Sequence, residues 1–112
     1  MGDKGFYMLA GTVLTNLSVN DLQELMNNQR LPAEIKKGEL KVKFKQQGKV
    51  FFRPGFDHEF ILVGHAREYE QLMFVVNSVC SVLKLHEIHY AYEIYDRDNN
   101  QIEEVDYSPG SA

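Results

Sequence analysis

Four histidines, His58, His65, His86 and His89, are the residues with the most obvious capacity for chemistry. Together with Glu59, Glu68 or Glu87 they offer the nitrogen and oxygen donors that zinc accepts. Three such ligands plus a water would make a catalytic centre. Their spacing works against this. His86 and His89 are three residues apart, so on one regular strand they face opposite sides. His58 and His65 bracket an apolar run and fall near its two ends, and no HExxH helix motif is present. Scattered surface histidines are the simpler account, and no cofactor is expected.

Other chemical motifs are also incomplete. Asp96-Arg97-Asp98-Asn99-Asn100-Gln101 opens like a calcium loop, with oxygen donors at the first, third and fifth positions. The sixth position should be Gly and is Gln101, and the twelfth should be Glu and is Tyr107. A hairpin turn built on Asp and Asn fits the segment better. The lone Cys80 lies on the apolar side of a helical pattern, where an inert thiol is expected. Ser78 and Ser81 have no accompanying motif. The glycines are isolated, so no phosphate-cradling loop is present. Lys41, Lys43 and Lys45, with Lys36, Lys37 and Lys49, could follow a phosphate backbone. Base-stacking aromatics should share that wet face, yet Phe44 points the other way and the net charge is −4. Nucleic acid is therefore disfavoured.

The elements that would position these groups follow from periodicity. Residues 6–14 form an aromatic and aliphatic strand. Ser18 opens a helix with a capping box to Asp21, and Leu17 and Leu22 take the two places of a hydrophobic staple. Val19, Leu22, Leu25 and Met26 share one helical face. Pro32 keeps Leu31 out of the α region, so this helix ends near Gln29. Residues 40–45 alternate strictly, with Leu40, Val42 and Phe44 inward and three lysines outward. Residues 50–53 return from a turn at Gln47-Gly48. Residues 59–64 make another strand. Residues 66–84 lack Gly and Pro and form the strongest helix, with Tyr69, Leu72, Met73, Val76, Val79, Cys80 and Leu83 on its apolar face. Residues 88–95 and 102–107 close the pattern as two strands around a polar turn.

The two halves run in parallel. Residues 7–11 match residues 60–64 in pattern, and each helix is followed by a strand, a turn and a returning strand. The expected fold is α+β: two βαββ units, residues 6–53 and 58–107. They form a mostly antiparallel six-stranded sheet or open barrel with two helices on one face. A single domain should span residues 1–112, with residues 108–112 as a flexible tail. The equivalent hairpins carry opposite charge. Residues 36–49 hold six lysines against Glu39, a net of +5. Residues 93–106 hold six carboxylates against Arg97, a net of −5. Two readings stand: mutual attraction, within one chain or between copies, or charges that keep exposed strands soluble and unpaired.

Residues 95–103 also resemble the closing hairpin of vicinal-oxygen-chelate domains, a superfamily that includes glyoxalases and bleomycin-resistance proteins. The paired layout suits that resemblance, which covers about the last quarter of the chain. The usual Pro and Gly of the turn are replaced by Arg97 and Asn99 or Asn100. The resemblance implies a small-molecule or metal-binding domain, with Glu103 nearest to the metal-binding glutamate. His58, Glu59, His65 and His89 would be the other carriers.

The bulk numbers bound the remaining choices. At 112 residues, with 44% hydrophobic and 25% charged, the chain suits a globular domain with a real core. A single cysteine suits a reducing compartment. The start lacks the pattern of a secretory signal, Phe6 stands where N-myristoylation needs Ser or Thr, and no apolar stretch is membrane-spanning. The expected location is the cytoplasm. On the long helix, Arg67, Glu70, Gln71, Asn77, Ser78, Ser81 and Lys84 cluster on one side, and Phe74 falls in their midst. A large ring framed by polar groups suits an interface anchor; otherwise a loop or the other helix covers it, or it is a solitary exposed apolar residue. The expected function is a non-enzymatic protein-interaction module: a small intracellular regulator, inhibitor or immunity-type protein. It would bind a protein partner, or a second copy as a homodimer, through Phe74, Lys41, Lys43 and Lys45.

Overall fold

The computed structural model describes residues 5–110. The chain start, read above for a targeting signal and for myristoylation at Gly2, lies outside them, as do the last two residues of the expected tail. The elements run β1 (Tyr7–Leu14), α1 (Val19–Asn28), β2 (Ala33–Lys36), β3 (Glu39–Lys43), β4 (Lys49–Pro54), β5 (Glu59–Ala66), α2 (Tyr69–Leu85), β6 (His89–Tyr95) and β7 (Gln101–Tyr107). They build one open sheet in the order β2-β3-β4-β5-β1-β6-β7. Every neighbouring pair is antiparallel.

The α+β class and the two helices agree with the sequence. The count of six strands does not, because the sheet has seven. The extra strand is β2. Ala33 and Ile35 pack toward the core while Glu34 and Lys36 face out. Lys37 (φ 53) and Gly38 (φ 82) then make the two-residue turn into β3. Both residues are left-handed, which is the type I′ geometry that matches strand twist. Lys-Gly at that turn lacks the Asn-Gly signature, and four residues is short for a strand.

The first half is therefore βαβββ rather than the expected βαββ, and only the second half is βαββ; the two also differ in how they enter the sheet. Helix α1 delivers the chain to the outer edge, and β2, β3 and β4 walk inward until β4 pairs with β5. Helix α2 delivers the chain beside β1, and β6 and β7 walk outward. The inner four strands, β4-β5-β1-β6, therefore interleave the two halves in a split β-α-β arrangement. Strand β1 has β5 on one side and β6 on the other.

Both helices lie on one face of the sheet. Alternation in each strand puts Leu9, Val13, Leu40, Val42, Val50, Phe52, Leu62, Tyr90, Tyr92 and Ile94 beneath them, all buried. From above, α1 contributes Leu22 and Met26, and α2 contributes Leu72, Val75, Val76, Val79, Cys80, Val82 and Leu83. The Ser18 capping box forms as expected. Ser18 Oγ accepts from the Asp21 N–H, and Asp21 Oδ2 accepts from the Ser18 N–H, each at 3.1 Å. At Gly11 the sheet is unusually tight. A Cβ there would stand 2.1 Å from the Ala91 carbonyl oxygen, so only Gly lets β1 approach β6 this closely. No helix among the described residues is long and apolar enough to cross a membrane.

The turn between β6 and β7 is the hairpin turn expected from its Asp and Asn residues. The Asp96 carboxylate accepts from the backbone N–H groups of Asp98 and Asn100, both at 2.9 Å. Those bonds hold its pKa below the usual carboxylate value, the Asn100 N–H most strongly. From the same turn, Arg97 reaches the start of α2. It donates to the Arg67 carbonyl oxygen, pairs with Glu68 at 3.0 Å and lies over the Tyr7 ring.

Candidate functional site on the open sheet face

Among the described residues, nothing forms a layer over the opposite face of the sheet. Antiparallel sheets of this kind usually turn polar side chains to water there. Here the central strands do not. Met8, Ala10, Thr12 and Leu14 from β1, and Ile61 and Val63 from β5, point to the open side. Their helix-side neighbours Leu9 and Leu62 are 2% and 1% exposed, whereas Met8, Ile61 and Leu14 are 42%, 42% and 44% exposed. Phe6, just before β1, is also 42% exposed. Its ring lies 5.3 Å from His65, which in turn stacks on Phe51 at 6.4 Å. The imidazole pKa of His65 is lowered, first by burial and then by the charge of Lys49.

Register shows how this apolar band is flanked. Across the sheet, Lys41 lies opposite Phe51, Phe51 opposite Val63, Val63 opposite Ala10, Ala10 opposite Glu93, and Glu93 opposite Glu104. The adjacent row on this face reads Arg53, Ile61, Thr12, Ala91 and Asp106. The first row continues outward from Lys41 to Glu34 on β2, and Arg53 in the second is paired with Glu39. Inward of these carboxylates, each row passes from a cation through large and then small apolar or near-apolar groups to a carboxylate on β7. The β2–β4 flank presents Lys36, Lys41, Lys43, Lys49 and Arg53 against Glu34 and Glu39, a net of three positive charges. The β6–β7 flank presents Glu93, Glu104 and Asp106.

Internal pairing satisfies part of this charge. Arg53 pairs with Glu39 at 3.3 Å, Lys41 reaches Glu34 at 4.0 Å, and His89 lies 3.4 Å from Asp106. The Tyr95 hydroxyl donates to Glu93 at 2.7 Å. Relief follows residue size. Phe51, Ile61 and Val63 make a ridge over β4 and β5. Ala10, Thr12 and Ala91 floor a shallow depression of about 250 Å³ over β1, β6 and β7, rimmed by Glu93, Glu104 and Asp106.

The residues singled out from sequence are dispersed. His58 is in the turn before β5 and Glu59 begins that strand, while His65 stands near its far end, roughly 20 Å away at strand rise. His89 begins β6, separated from Glu59 by β1. Glu103 is on the helix-covered face, where the Tyr69 hydroxyl donates to it at 2.9 Å. Among the described residues no three His, Cys, Asp or Glu groups gather as metal ligands. Lys41 and Lys43 face outward from β3, but the strand stops at Lys43 and Lys45 falls in the following turn. Phe74 is 49% exposed on α2. Phe44 leans edge-on against it at 5.0 Å, so a turn residue covers part of the ring. Cys80 is buried, and burial pushes its thiol up to about 11.

The open face drew no attention from sequence, although a signal for it exists. Residues 7–14 and 60–64 are nearly continuous apolar runs rather than alternating ones. A strand of that kind has apolar groups on both faces, and only one face lies beneath the helices. No family model, no curated protein and no solved structure matches this chain.

Proposed function

We propose that this chain is a non-enzymatic protein-interaction module whose working surface is the open sheet face. The observation that carries the reading is the band of exposed Phe6, Met8, Leu14 and Ile61 with half-buried Phe51 and Val63 between them on the central strands. Contiguous apolar surface framed by charge is the usual mark of a protein-docking site. The flanks define the chemistry of the partner. It must offer an apolar strip bordered by acidic groups where it meets β3 and β4, and by basic groups where it meets β6 and β7.

Phe74 is the weaker anchor. It is one ring with Asn77, Ser78 and Ser81 nearby, and Phe44 already contacts it. In this reading Lys41 and Lys43, expected from sequence as partner contacts with Lys45, act as cations at the border of the apolar band.

The test is the Ile61→Glu variant. Its fold should be retained, with a circular dichroism spectrum like that of the parent, because Ile61 is outside the helix-covered core. Protein complexes formed by the parent should be lost. The same complexes surviving in Ile61→Glu and in Val63→Glu, both folded, would remove the open face as the working surface.

A further inference from the structure

The partner chemistry just described is met by the chain itself. We infer that the open face receives a second copy of this chain, packed face to face about a twofold axis that runs along the strands between β5 and β1. This rests on the reading of the open face as a docking surface and names its occupant.

The order of groups across the sheet selects this axis. A twofold along the strands reverses left and right while keeping each row at its own height. It lays β5 over β1 of the second copy, β4 over β6, and β3 over β7. The cationic flank then covers the acidic flank twice, once on each side of the axis. A twofold across the strands would lay cations on cations and carboxylates on carboxylates. Like charges brought together without solvent oppose association, so the strand-parallel axis is the one the charges permit.

Shape agrees with charge. The ridge of Phe51, Ile61 and Val63 is on one side of the axis, and the depression floored by Ala10, Thr12 and Ala91 is on the other. Rotation about the axis seats each ridge over the other copy's depression. Within one row, Val63 meets Ala10, and Phe51 reaches the hollow beside Glu93. In the same row Lys41 comes over Glu104 of the second copy. Aligned sheets pack about 10 Å apart and cross at about 30°, so contact is closest at the centre and the charged flanks meet at longer range.

The expected strength follows from the area. Six overlapping strands of about seven residues make a patch of about 24 by 23 Å, or about 1,100 Å² over both copies. This is at the low end for a specific interface and suits a dissociation constant in the micromolar range. The flanking ion pairs add orientation more than affinity.

The experiment is sedimentation equilibrium from about 1 to 300 μM, micromolar and above in the range such an area implies, on four proteins. They are the parent, Ile61→Glu, the basic-flank reversal Lys41→Glu with Lys43→Glu, and the acidic-flank reversal Glu104→Lys with Asp106→Lys. Thermal melts confirm that each is folded. The parent should dimerise, Ile61→Glu should be monomeric, and each reversal should weaken self-association at least tenfold. An equimolar mixture of the two reversals should recover a one-to-one heterodimer, because every flank again meets its opposite. A monomeric parent overturns the inference, as does a mixture that fails to recover association. A dimer that survives Ile61→Glu also overturns it and moves the contact to another surface. If the parent is monomeric but its complexes with other proteins still depend on Ile61, the inference fails and the docking reading stands. Failure of both shows that the open face binds nothing.

Discussion

The two faces of the sheet share their backbone and differ in what covers them. On the helix side, Leu9, Val13, Leu62 and Phe52 lie beneath α1 and α2 and are almost wholly excluded from water. On the other side, Met8, Ile61 and Leu14 extend from the same strands and remain more than two-fifths exposed. A β-strand offers its two faces equally, and β1 and β5 carry apolar groups on both of theirs, yet the helices cover only one. The covered side got its cover from within the chain. The open side carries a net positive flank on β2–β4 and carboxylates on β6 and β7, a division that the covered side lacks. A core needs only apolar volume, whereas a surface that must accept one partner in one orientation also needs sign and order.

The adjacent residues Phe51 and Phe52 give the sharpest way to break this comparison. Phe52→Ala should destabilise by about 3–5 kcal/mol, since it empties a packed site beneath the helices. Phe51→Ala should cost less than about 1 kcal/mol in the monomer, because its ring touches His65 on a face open to water. Urea unfolding of both variants at low protein concentration checks the contrast, and equal losses would mean that the faces are equivalent.

Gly11→Ala should come next, at about 2–3 kcal/mol, because the added methyl would be driven into the Ala91 carbonyl oxygen and would push β1 from β6. It strikes the seam that both faces share, so a fall in melting temperature should accompany weaker association.

Alkaline pH should act on the covered face. Burial pushes the Cys80 thiol up to about 11 and the Tyr92 hydroxyl up to about 12, and it raises Tyr90 as well. The folded chain thus favours the neutral forms. Their contribution is complete below the ordinary values of 9.0 for the thiol and 10.0 for the hydroxyls. It is lost as pH rises through about 11 to 12. The urea midpoint should be steady up to about pH 8 and fall by about pH 11. Cys80→Ala should remove the earliest part of the decline.

Arg97→Ala should have the smallest effect, about 1 kcal/mol or less. It breaks a partly exposed pair with Glu68 and the bond to the Arg67 carbonyl at the α2 start. A melting-temperature shift of a few degrees with unchanged self-association would place that clasp on the covered side of the comparison.

Much of the fold was legible because its signals are local. The Ser18–Asp21 box, the break at Pro32, the alternation of residues 40–43 and the long apolar face of α2 each follow from neighbours within a few residues. Strand β2 was missed because four residues leave little periodicity and its turn uses Lys37 with Gly38. The interleaved order was not legible, since nothing in β1 states that β5 and β6 will flank it. The opposite charges of the two hairpins were legible, and their meaning was not. It depends on which side of the sheet Lys41 and Glu104 occupy, and that depends on strand order. The histidines had suggested a site by residue type alone, and three-dimensional distance dispersed them.

The interleaving of β1 has a further consequence for how the protein is made. On a ribosome the chain emerges from its N-terminus, and β1 leaves first. Its two hydrogen-bonding neighbours end at Ala66 and Tyr95. Until those residues emerge, this apolar segment has no strand to pair with. The inward-walking hairpins β2, β3 and β4 can form early from local contacts, but they must wait for β5 before they join β1. Every residue through Tyr95 must be outside the exit tunnel before the central seam closes. Closure of the seam should thus be a late step in folding, slowed by the long loop that pairing β1 with β6 requires.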